Sequence, residues 1–86
     1  MPYIDKIKRV NVQDYFLLEW CPNDAGELNF VISTQINNYL KRDGLSYANV
    51  NEMIGALECC KLELYRRVAA PYEDLKQKEN GDVYTT

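Results

Sequence analysis

Histidine is absent from all 86 residues. That removes the imidazole general base, any His-containing triad and every His metal ligand. Acid–base chemistry would fall to a carboxylate, Cys, Lys or Tyr with a strongly shifted pKa. Glycine is scarce, and Gly26, Gly44, Gly55 and Gly81 are too scattered to build a phosphate-cradling loop. No apolar run approaches the ~20 residues of a membrane span. Positive charge is short as well. Ten Lys+Arg against 13 Asp+Glu leave a formal charge of −3, without the basic footprint of a general nucleic-acid binder. The three cysteines, Cys21, Cys59 and Cys60, lack C-x₂-C spacing for zinc. Their odd number, with no secretion signal, leads us to expect free thiols in a reducing compartment, packed as small hydrophobes. These absences point away from an enzyme, and no cofactor or metal is expected.

Leu, Ile, Val and Phe make up about a quarter of the chain, above the roughly 20% below which disorder is expected. The sequence therefore predicts a folded but small core, of the kind that often needs a partner subunit. One helical domain over 1–86 is expected, with 1–10 as an arm or short helix. Val12, Tyr15, Phe16, Leu18 and Trp20 suggest a first helix running from Asn11 to near Pro22, before the turn CPNDAG. Asp24 with Glu27 marks the start of a second helix, and Gly44 its end. Between them Leu28, Val31, Ile32, Ile36, Tyr39 and Leu40 step along one stripe.

A third, longest helix starts at Asn49, or one turn earlier at Ser46. Val50, Met53, Ile54, Leu57, Leu64 and Val68 form its stripe, with Cys60 and Lys61 in the intervening turn. Cys59 and Leu62 add a second apolar strip. A helix apolar on more than one side needs neighbours on two sides. In so short a chain the second neighbour can be another copy. Pro71 either stops or kinks this helix or opens a fourth, PYEDLKQKEN, that Gly81 would close. The expected fold is all-α, a small bundle of three to four helices assembled as a homo-oligomer, with 81–86 a mobile tail.

Groups suited to a ligand concentrate at Lys61, Tyr65, Arg66 and Arg67, and then Tyr72 with Glu73. Arginine offers bidentate contacts to phosphate and tyrosine a stacking platform for a base. Lys61 and Tyr65 share a helix face. Arg66 and Arg67 diverge by about 100° on an α-helix, so one is expected on Glu63 and the other free for an anion or partner. Asn29 and Asn49 could read polar edges of the same ligand, although Asn49 also suits a helix cap. Seven tyrosines exceed what a small core needs, and Tyr47, Tyr65 and Tyr72 are interface candidates. Residue types equally allow a plain solvated helix face here.

Three stretches carry a resemblance: MPYI (1–4), GELNFVI (26–32) and GLSYANVNEMIGALECCKLELYRRVAAPYEDLKQKENGDVY (44–84). They resemble a short family of unknown function found chiefly in bacteriophage genomes. The likeness covers about two-thirds of the chain and brings no catalytic residues. It implies a viral protein acting in the host bacterial cytoplasm. By analogy of size and setting, it suggests an oligomeric sponge for nucleotide signals of host immunity. The alternatives are an adaptor or inhibitor gripping a host protein through tyrosines, and, third, a small nucleotide hydrolase.

Overall fold

Asp24 adopts extended backbone and its carboxylate accepts the Glu27 N–H at 2.8 Å. This satisfies one of the donors left open at a helix start. In the computed structural model, which describes residues 3–15 and 20–84, with side chains excepted at 11 and 13–15, that cap opens α2, Ala25–Asp43. Lys41 and Arg42 occupy its last turn, where cations suit the helix dipole. Gly44, at φ +88°, ends it by donating its N–H to the Leu40 carbonyl.

Ser46, rather than Asn49, caps the next helix, α3 (Tyr47–Leu64), by accepting the Asn49 N–H at 3.1 Å. The Asn49 side chain reaches backwards instead. Its amide donates to the carbonyls of Asp43 (2.9 Å) and Gly44 (2.8 Å), two acceptors left open at the end of α2. Tyr39 then ties the helices together by donating to Glu52 at 2.9 Å, with Arg42 over its ring. Packing between separate helices is confined, among the described residues, to α2 against α3.

Pro71 lies in the first turn of a fourth helical segment, which the long helix enters without a break. α3 continues into a π-helical turn, Tyr65–Ala69, and then α4, Ala70–Asn80, with αR backbone at every junction. Within the turn the Ala70 N–H reaches back five residues to the Tyr65 carbonyl. Pro71 has no N–H to donate, and the widened turn ahead of it lets the helix pass the ring without breaking. Gly81, at φ +90°, closes α4. Val83 and Tyr84 follow, with the Tyr84 N–H on the Asp82 carboxylate.

The first helix lies earlier than its apolar cluster suggested. α1 spans Lys6–Tyr15 and starts from the Asp5 carbonyl, which accepts the Arg9 N–H. Phe16 and Leu18 lie outside the described residues, as does the Tyr15 side chain, while Val12 and Trp20 are exposed. No strand occurs among the described residues, and the chain is all-α as expected.

The arrangement has almost no interior. Met53, 7% exposed, is the buried hydrophobic residue, and no side chain is fully enclosed among the described residues. Cys21 and Cys60 are exposed and Cys59 half-buried, all free thiols, against the expectation of buried small hydrophobes. The reason is the missing core: a single chain has nowhere to bury them. The radius of gyration is 17.1 Å, where a compact chain of this length has about 12 Å. The accessible surface is 8032 Å², against about 5,200 Å² expected for a folded monomer of this mass.

Candidate functional site

The π turn places Tyr65, Arg66 and Arg67 on consecutive residues midway along the 47–80 helix. Its extra residue has a visible effect. Tyr65 donates its hydroxyl to Glu73 at 3.1 Å, eight residues on. On an uninterrupted α-helix, residues eight apart point about 80° away from each other, while residues seven apart lie within about 20°. Absorbing one residue in the turn gives Glu73 the phase of an i+7 neighbour. The hydrogen bond to Glu73 holds the Tyr65 phenol above its ordinary pKa, and the charge of that carboxylate adds to the effect.

Glu63 gathers a second group. It accepts the hydroxyl of Tyr3, sixty residues away in sequence, and the Arg66 guanidinium at 2.7 Å. The Tyr3 hydroxyl first, and then Arg66, hold its carboxyl below the usual carboxylate range. Arg67 adds a weaker Coulombic pull. The same bond to Glu63 raises the Tyr3 phenol. Arg9 stacks over the Tyr3 ring at 5.7 Å. An N-terminal arm is thus latched beside the π turn.

That latch has a pH window. A depressed Glu63 contributes stability above the unfolded carboxylate value and loses it as pH falls through the folded one. A raised Tyr3 contributes stability below the unfolded phenol value and loses it as pH rises through the folded one. The arm should stay docked from the ordinary carboxylate range up to the ordinary phenol range, and release below the first and above the second. Titrating the Tyr3 ring resonances checks this, and Glu63→Gln should remove the acid-side step.

The expected division of the arginines is present: Arg66 takes Glu63, and Arg67 has no ion pair among the described residues. The Glu63–Arg66 pair has i,i+3 spacing. Lys61 sits 3.6 Å from Glu58, a weak exposed pair. Tyr72 follows one turn beyond the π segment with Lys76 over its ring at 5.5 Å. An open groove of about 500 Å³ runs on from it, lined by Asp74, Lys76, Gln77, Val83 and Tyr84 among others.

The asparagines do not join this cluster. Asn49 spends its amide on the α2–α3 corner, and its place sixteen residues before Tyr65 puts it about 24 Å away along the helix. Asn29 lies exposed on α2 and accepts the Ser33 hydroxyl at 3.0 Å. Sequence reasoning missed Tyr3 and Arg9. Tyr3 is invisible without the chain's long-range path. Glu73 belongs to the cluster by residue type, but its bond to Tyr65 needs the π turn.

No group of three or more metal-ligating side chains converges among the described residues. No helix among them is long and apolar enough to cross a membrane. No curated protein matches the chain, and no solved structure does. A family model described as "Domain of unknown function (DUF6899)" matches residues 1–83, so this chain is a member of that uncharacterised family.

Proposed function

We propose that this protein is a non-enzymatic, homo-oligomeric binding protein that captures a small anionic, nucleotide-like ligand at the π turn. The observation that carries this reading is the pairing pattern there. Glu63 neutralises Arg66, whereas Arg67 keeps its charge unpaired among the described residues, with the exposed rings of Tyr65 and Tyr72 on the same helix. Arg67 would hold a phosphate bidentately, Lys61 would add charge, and a tyrosine would stack on the base. One chain offers only an open surface there, so enclosure of a ligand falls to a neighbouring copy. In this reading the protein is a phage product acting in the host bacterial cytoplasm, where it sequesters an immune signal.

A second reading has its own observation. Leu45 and Tyr47, at the tip of the α2–α3 hairpin, are 83% and 92% exposed, an anchor pair suited to a host protein. A panel of cyclic and linear nucleotides in thermal-shift assays separates the two. A ligand at a hundred times its Kd should add about 2.7 kcal/mol to the folded state. Arg67→Ala should abolish the shift, and the ligand should be recovered unchanged after heat release. Absence of any shift across the panel would refute the nucleotide reading, and turnover of the ligand would refute a non-enzymatic role.

A further inference from the structure

Two columns of apolar residues run the length of the 47–80 helix. Val50, Leu57, Leu64 and Tyr72 follow one another by seven, seven and eight residues. Met53, Cys60, Val68 and Leu75 follow by seven, eight and seven. Each column is a heptad repeat with one residue too many. In both, the surplus is accounted for by a single extra residue between Leu64 and Val68. That is where the helix makes its π turn, Tyr65–Ala69. Counted at the 3.5 residues per turn of a heptad seam, the surplus residue would carry Tyr72 and Leu75 about 100° past the line set by Val50, Met53 and Leu57. The π turn takes up the surplus residue and returns them to it. The Tyr65–Glu73 hydrogen bond, spanning eight residues, reports the same correction on a neighbouring face.

We infer that this a/d seam is a self-docking surface, that a second copy of the chain packs its own seam against it, and that the π turn is the device that keeps the seam continuous. This rests on the oligomeric reading above and specifies its contact. Eight seam positions are apolar without exception. The first two are already used inside the chain, Val50 half-buried and Met53 buried. From Leu57 onward the seam is bare. Leu57, Leu64, Val68, Tyr72 and Leu75 are between 42% and 60% exposed, and Cys60 is exposed as well. Heptad knobs need a surface of matching holes, which another heptad helix supplies. This helix carries the extended heptad of the chain, so its natural complement is itself. Area agrees. The surplus over a compact monomer is about 2,800 Å² per chain, more than enough for each copy to give up the roughly 1,000–2,500 Å² that an obligate homodimer takes from each partner.

The test uses the full chain, with assembled mass read by light scattering and helicity by circular dichroism. Leu64→Glu, on the seam, should reduce the assembly to single chains. Leu62→Glu, equally apolar and exposed but off the seam, should leave the mass unchanged. The second pair guards against a mere folding defect. Deleting Arg67 removes the surplus residue and gives an unbroken heptad, so the assembly should persist. Inserting an alanine after Arg67 pushes Tyr72 and Leu75 off the line again, and the assembly should be lost. Dissociation by Leu62→Glu as readily as by Leu64→Glu, or equal tolerance of deletion and insertion, overturns the seam. If the wild-type protein assembles but ignores all four changes, only this inference fails. If the wild-type protein is itself a single chain, the oligomeric reading falls with it.

Discussion

Leu64→Ala should behave as a core substitution, costing about 2–5 kcal/mol per chain, although this leucine is 60% exposed in the isolated chain. An exposed residue truncated on a monomer changes stability by no more than about 0.5 kcal/mol. The gap between those figures is what makes the experiment decisive. Leu64 occupies the middle of the apolar line that runs from Val50 to Leu75, directly before the π turn. Its neighbours in the line, Leu57, Val68 and Tyr72, are similarly uncovered. If a second copy covers them, truncation leaves a cavity in the assembled core. Chemical denaturation at several protein concentrations measures the loss. A cost near zero would mean that water, not protein, surrounds this side chain.

The second large effect belongs to the hairpin corner. Gly44 sits at φ 88°, ψ 165°, a region that residues with a Cβ rarely adopt. Gly44→Ala should therefore cost about 1–3 kcal/mol in backbone strain, even though nothing lies within 4 Å of the added Cβ. The corner has no slack to absorb a rearrangement. The Gly44 N–H holds the Leu40 carbonyl, and its own carbonyl accepts the Asn49 amide. Gly55 provides the contrast. It lies inside α3 with helical backbone, with open space around a Cβ and on the side of the helix away from the seam. Gly55→Ala should stabilise by about 0.5–1 kcal/mol. Thermal melts of the two variants should move in opposite directions.

Local chemistry made the second helix legible. Asp24, Glu27, Lys41, Arg42 and Gly44 each perform the role their residue type suggests, because caps and dipole partners act within one turn. Ser46 was weighed as a cap and takes that role. Asn49 was ambiguous because its best acceptors, the carbonyls of Asp43 and Gly44, belong to the preceding helix. The cluster around Tyr65 to Arg67 was visible as residue types, but its geometry was not. A period of 3.6 applied evenly along the chain has no place for an extra residue, so the partnership of Tyr65 with Glu73 and the unbroken helix through Pro71 were both hidden. The Tyr3 latch depends on a contact sixty residues apart, which no local rule reaches. The cysteines were misjudged for a related reason. Burial was assigned as if the chain had an interior large enough to hold them.

The central claim is that this chain completes its fold with copies of itself, and sedimentation or light scattering of the purified protein across a wide concentration range tests it most directly. The expected mass is a multiple of the single chain, with a melting temperature that falls on dilution. A single-chain mass at all concentrations, with a cooperative melt independent of dilution, would contradict it.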